Sequence, residues 1–174
     1  MSRPNARSEA IEAYFAGSTA LRGAVEGMSP AQVVERPVVG RWSTLEVVAH
    51  LADSEQAWTH RMKRVIAENT PLLIGYDESK FTSSLFYQDR DLNAELTLFD
   101  LLRYQMTQIL RALPEPAWLR QGVHSESGLL SLEQMLQIET DHVHHHLRHI
   151  QEKRQALGLK PSESIAAPHS SNNV

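Results

Sequence analysis

Cysteine is absent from this chain of 174 residues. Its absence removes disulfides, thiolate zinc sites and cysteine nucleophiles together. Any transition metal held by the chain must be held by nitrogen and oxygen. Long basic runs are missing as well: 17 lysines and arginines stand against 21 aspartates and glutamates, a formal net charge of −4. Nucleic acid is therefore not an expected partner. No apolar run approaches the length of a membrane span, and Met1 to Arg7 has no signal-peptide core. With the lack of cysteine, this leads to the expectation of a soluble cytoplasmic protein with no membrane partner. Sustained apolar–polar alternation is lacking too, so the strand signal is poor. There is no P-loop, no dinucleotide fingerprint, no HExxH and no GxSxG.

What is present is helical. The length favours one domain, read here as residues 1–160, with a small polar tail, residues 161–174, expected to be disordered. From Ser8 to Val25, Ile11, Tyr14, Phe15, Leu21 and Val25 recur at helical spacing. Ser29-Pro30-Ala31-Gln32 reads as a capping box that opens a short helical turn. Ser43-Thr44-Leu45-Glu46 is a second capping box, with Trp42 ahead of it as a hydrophobic staple. The helix it starts is expected to reach about Asn69, burying Val47, Leu51, Trp58, Met62, Val65 and Ile66. A third long helix spans roughly Ala94 to Leu113, with Leu98, Leu101, Leu102, Met106, Ile109 and Leu110 as its apolar stripe. Trp118 to Gly128 reads as a loop. Ser131-Leu132-Glu133-Gln134 caps a last helix that ends near Leu157, with Gly158 as the residue just past its end.

Residues 70–92 are the least regular stretch. They read as a long crossover packed down by its aromatics, or else as a lid over a site. Four long amphipathic helices with one long connection predict an all-α, four-helix bundle, in which ligand sites form between facing helices.

The chemistry-bearing residues are histidines. Five of nine fall between His142 and His149. His142 and His146 are one helical turn apart and share a face. His50 lies between Val47 and Leu51 on the buried side of the second long helix. Three buried neutral imidazoles fit two readings. They are separately hydrogen-bonded core residues, or they share one metal ion that satisfies all three acceptor nitrogens. The second reading describes a zinc-type catalytic site with a fourth position left open. Asp53 and Glu139 each stand three residues from one of these histidines and could orient it through its other ring nitrogen. His149 is a candidate supporting residue or fourth ligand, and His124 could reach the site mouth. His144 and His145 are expected to point away, His60 is too far from His50 along the helix, and His169 lies in the tail. Glu139-x-x-His142 occurs once only, which disfavours a di-iron site.

Two of these segments resemble a known family. Trp42 to Glu55, reading WSTLEVVAHLADSE, looks like the helix-two signature of the DinB/YfiT-like superfamily. His142 to Ile150, reading HVHHHLRHI, resembles its C-terminal motif of two histidines at i,i+4 followed by Leu-x-Gln-Ile. Trp118 through Leu132, with His124 and Gly128, resembles the segment before the family's last helix. The likeness covers about residues 8–157. It implies an up-down-down-up four-helix bundle and a divalent metal, zinc or nickel foremost, held by His50, His142 and His146. It also implies a homodimer, and an enzyme of small molecules. That enzyme is either a hydrolase or a transferase using a low-molecular-weight thiol. The alternatives are a non-catalytic metal-binding bundle and a small-ligand-binding stress-response protein. The chain departs from the family pattern at Val143, where many relatives have Asp, and at His149, where they have Gln. Neither change removes a ligand, but both leave the reaction type open.

Overall fold

The computed structural model describes residues 4–162; the expectation for the tail beyond 162 lies outside them. Four long helices carry the structure: α1 (Pro4–Val25), α3 (Thr44–Ala67), α5 (Leu92–Ala112) and α6 (Leu132–Ala156). Two short helices, α2 (Pro30–Val34) and α4 (Glu78–Ser84), lie in the connections. The three capping boxes read from the sequence form at Ser29, Ser43 and Ser131, each serine side chain accepting from the backbone N–H three residues on. Asp91 caps α5 in the same way without the reciprocal half. At the far end of α6, Gly158 adopts a φ of 70°, and Leu159 N–H reaches back to the Arg154 carbonyl at 2.9 Å. This is a Schellman closure, which needs the left-handed conformation that glycine adopts without strain.

Cross-helix contacts fix the directions. Arg22 pairs with Asp100 and Arg111 with Glu12, so α1 and α5 run antiparallel. Arg90 bridges Asp53 and Glu95 at one level, and Lys63 meets Gln105 ten residues further along both helices, so α3 and α5 are parallel. Val47 shares a cavity with Lys153, while His50 meets His142, so α3 and α6 are antiparallel. The order is up, down, down, up. Each long helix packs on two others, and α1 and α3 lie on a diagonal.

The parallel α3–α5 pair explains the long connection. A 24-residue helix is about 36 Å long, so the chain must travel back that distance before α5 can begin. Residues 68–91 do this, carrying strand β1 (Leu72–Leu73), α4 and a 3₁₀ turn at Tyr87–Asp89. Tyr87 anchors the stretch in the interior, whereas Phe86 is largely exposed.

Two sequence expectations do not hold. The stretch Trp118 to Gly128 is not a simple loop. A 3₁₀ turn at Glu115–Leu119 leads into strand β2 (Gln121–His124), which turns back as β3 (Gly128–Ser131) and runs directly into α6. With β1 parallel to β2 and β3 antiparallel, these strands form a small sheet closing one end of the bundle. Strands of two and four residues are too short to show alternation. The buried face of α5 also differs from the stripe read above. Leu96, Phe99, Arg103, Met106, Thr107 and Leu110 face inward, while Leu98 and Leu101 are exposed.

The inward Arg103 has a structural consequence. The core divides into two apolar clusters. One holds Met62, Val65, Met106, Trp118 and Met135, and the other holds Leu21, Val48, Leu51, Phe99, Val143 and Ile150. Between them lies a polar layer. Arg103 donates from Nε to Glu55 Oε2 at 2.8 Å, from Nη2 to the Glu139 carbonyl at 3.2 Å, and from Nη1 to the Tyr14 carbonyl. The Tyr14 hydroxyl donates to Glu55. The guanidinium stacks over the Tyr14 and Phe99 rings. Gly17 leaves the room for it, because a Cβ there would overlap Arg103 Nη1.

Candidate metal centre

His50 comes from α3, and His142 and His146 come from adjacent turns of α6. Antiparallel packing of these helices brings together residues 92 apart in the sequence. His142 Nε2 lies 3.1 Å from His50 Nε2 and 3.1 Å from His146 Nε2. The potential ligand atoms of the three all fall within 4.8 Å of one another. His50 is fully buried, His146 nearly so, and the His142 side chain is 21% exposed.

Burial dominates the electrostatics. It pushes the His50 imidazolium down to about 4. Burial, reinforced by its neighbours His50 and Arg103, takes His142 to about 3. Burial followed by His142 and His50 takes His146 to about 2. All three rings are therefore neutral at pH 7, each with one N–H and one lone pair. The Nδ1 atoms of His50 and His146 are buried without hydrogen-bond partners among the described residues. Protons on those atoms leave bare Nε2 lone pairs facing His142. Protons moved to Nε2 crowd the same small space. Hydrogen bonds between the rings cannot resolve both ends, whereas one cation accepts all three lone pairs. Three neutral imidazoles so placed fit a divalent transition metal.

The surroundings differ from the sequence reading. Asp53 does not turn to His50: its carboxylate accepts from Arg90 at 3.0 and 3.1 Å and from the Tyr87 hydroxyl at 2.7 Å. Glu139 Oε1 stands 3.8 Å from His142 Nδ1, beyond hydrogen-bond reach. Burial, with the Glu55 carboxylate beside it, pushes the Glu139 carboxyl well above the usual range. Ser54, one turn after His50, is the nearer group, its hydroxyl 3.5 Å from His142 Nδ1. Its i+4 spacing from His50 was the signal for it. Trp42 is more than a staple: its ring lies parallel to His146 at 6.4 Å and tilted against His50 at 5.1 Å. It thus packs against both ligand candidates.

The remaining histidines divide. His149 Nε2 lies 3.1 Å from His145 Nε2, and its Nδ1 is 3.2 Å from Glu152, so it pairs with His145 and does not join the central three. His144 is exposed. His124 sits on β2, where its ring stacks on Trp58 and its Nδ1 accepts from the N–H groups of Glu126 and Ser127. It is a hairpin residue away from the centre. Residues with no sequence signal include Tyr76, whose buried hydroxyl lies on the Ser54 side and is pushed up to about 12, chiefly by burial. The long connection supplies it.

The protein named "Putative metal-dependent hydrolase YfiT" of Bacillus subtilis is 32% identical over 139 residues, covering 79% of this chain and 78% of its own. A similarly named protein of Oceanobacillus iheyensis is 32% identical over 111 residues, 64% of each chain. The solved structure of Bacillus subtilis YfiT, described as having an unusual four-helix bundle topology, superposes with a TM-score of 0.85 at 28% identity. It covers 92% of both chains. A mycothiol-dependent maleylpyruvate isomerase shares the fold at 16% identity and a TM-score of 0.67, across 83% of this chain and 60% of its own. No described helix is long and apolar enough to cross a membrane. The DinB superfamily model matches residues 16–150, and the chain belongs to the DinB superfamily.

Proposed function

We propose that His50, His142 and His146 bind one divalent transition-metal ion, and that the protein is a metal-dependent enzyme of a small molecule. The observation that carries this reading is the convergence of three neutral Nε2 atoms, with ring contacts that only a cation satisfies together. Zn²⁺ and Ni²⁺ are among the ions that suit a donor set of imidazoles. Such an ion supplies Lewis acidity, lowering the pKa of a coordinated water or thiol and polarising an electrophile.

The chain's own residues set the conditions. Burial of the imidazoles keeps them neutral and available as donors at pH 7. Trp42 restricts the His50 and His146 rings, and His142 is the most exposed of the three. Ser54 can orient His142 through Nδ1, and the neutral Tyr76 phenol is a hydrogen-bond donor on the Ser54 side. Two reaction classes suit this arrangement. Hydrolysis is favoured by the names of the relatives at about 30% identity. Transfer from a low-molecular-weight thiol is favoured by the mycothiol-dependent protein of the same fold. Because the chain has no cysteine, that thiol must be a cosubstrate.

A panel of small esters, amides and thiol-plus-electrophile pairs tests the reading. Turnover is expected to vanish on chelation, to return with Zn²⁺ or Ni²⁺, and to be absent in His142→Ala. Turnover indifferent to chelator and to that substitution contradicts it.

A further inference from the structure

We propose that the cavity beside the metal centre is an anion-recognition subsite, and that the small molecule bound there carries a carboxylate held by Arg41 and Lys153. The proposal rests on the reading of the three histidines as the reactive centre and names the substrate class for it.

The cavity measures about 230 Å³ and is lined by Gly40, Arg41, Trp42, Val47, His145, His146, His149 and Lys153. His146 and Trp42 belong to it and to the metal centre alike. Lys153 is only 2% exposed. Its ammonium makes one hydrogen bond, to the His149 carbonyl at 3.1 Å, and no carboxylate pairs with it among the described residues. Lysine is rarely buried to this degree unless paired. Interaction with the carbonyl end of α6 accounts for one of its three N–H groups and leaves two for a ligand. The Arg41 guanidinium likewise makes no hydrogen bond or ion pair among the described residues, although it is close enough to raise the local positive potential on Lys153 and His145.

The nearby carboxylates do not complete the pairing. Glu46 is held by Arg36 and the Ser43 N–H. Glu152 is turned to His149 Nδ1 on the exposed side; its charge is felt by Arg41 and Lys153, but it forms an ion pair with neither. The cavity therefore has a surplus of positive charge and unused donors. Its depth places Lys153 Nζ near the level of His149, whose ring is 6.0 Å from His146. A carboxylate bound there leaves the rest of a short ligand against Trp42 and His146, the histidine of the centre that lines the cavity. A planar carboxylate accepting from a guanidinium and an ammonium matches the geometry of charge-assisted hydrogen bonds.

The test compares 3-mercaptopropionate with 3-mercapto-1-propanol, which share a thiol and differ at the charged end. In cobalt-loaded protein, the thiolate-to-metal absorption is expected to titrate at about tenfold lower concentration with the carboxylate probe. The preference is expected to disappear in Arg41→Gln and Lys153→Met, with cobalt content as in the wild type, and to persist in Lys153→Arg. Equal affinity of the two thiols, or a preference that survives both neutral variants, overturns the proposal. Arg41 is exposed, so Arg41→Gln carries the result if Lys153→Met does not fold. A second arm uses metal-free protein, where only 3-mercaptopropionate is expected to shift the His145 and His149 imidazole resonances. Protein that takes up no cobalt yet shows these shifts refutes the metal centre and keeps the anion subsite. Protein that takes up cobalt without either response refutes the subsite alone.

Discussion

Arg103 carries a full charge in the middle of the bundle with no exposure to solvent. Its three donor nitrogens find Glu55, the Tyr14 carbonyl and the Glu139 carbonyl, so the charge is matched and every donor group has an acceptor. Removing one member leaves the other buried without compensation. Arg103→Met is expected to cost about 3–5 kcal/mol in urea unfolding, because Glu55 then loses its counter-charge. A cost below about 1 kcal/mol contradicts this assignment. The three histidines act in the opposite sense. Their folded pKa values of about 4, 3 and 2 lie below the unfolded value of about 6.5, so the unfolded chain takes up protons that the fold excludes. Metal-free protein is thus free of this penalty above about pH 6.5 and loses stability as pH falls from there through the folded values of about 4, 3 and 2. Denaturant titrations at stepped pH are expected to show unfolding coupled to uptake of two to three protons near pH 5, and less in His146→Gln. The histidines were legible because an i,i+4 pair on one helix and a histidine in the apolar phase of another are local patterns. Arg103 was not, because an arginine within a helix reads as exposed until the partner that buries it is known. A stripe drawn through apolar residues alone leaves Arg103 out and sets the expected face of α5 on Leu98 and Leu101 as well.

Among the elements, the ends of helices were the easiest to read. A serine followed three residues later by Glu or Gln marks a start by its own hydrogen bonds, independent of tertiary structure, and all three such boxes formed. The end of α6 is equally local. Gly158→Ala is expected to destabilise by about 1 kcal/mol, since alanine at a φ of 70° is strained. Thermal unfolding measures this, and a neutral result would remove the Schellman closure from the account. The small sheet had no such signature. Its strands exist because Val123 N–H finds the Pro71 carbonyl and Ser125 N–H the Leu73 carbonyl, across about fifty residues of chain. Pairing of that kind is set by where α3 ends and α6 begins, which no window of the sequence contains. Residues 70–92 were legible as a crossover, but the Tyr76 and Tyr87 positions depend on the same tertiary placement.

At the scale of the molecule, two apolar clusters are separated by the Arg103 layer, and the three-histidine centre lies against the cluster of Leu51 and Val143, where α3 and α6 face each other. The bundle positions the donors and burial keeps them uncharged, so a bound ion ties α3 to α6, two long helices that are not consecutive in the chain. Binding to the folded state alone predicts stabilisation by about 2.7 kcal/mol at a free metal concentration one hundred times the dissociation constant. The central claim is that these three histidines, and not His144, His145 or His149, hold the metal. Equilibrium dialysis of chelator-stripped protein against Ni²⁺ or Zn²⁺, with metal counted per chain, tests it most directly. The account predicts one tightly held ion in the wild type and in His145→Ala/His149→Ala, and none in His142→Ala. Retention of that ion by His142→Ala, or its loss from the double variant, would contradict it.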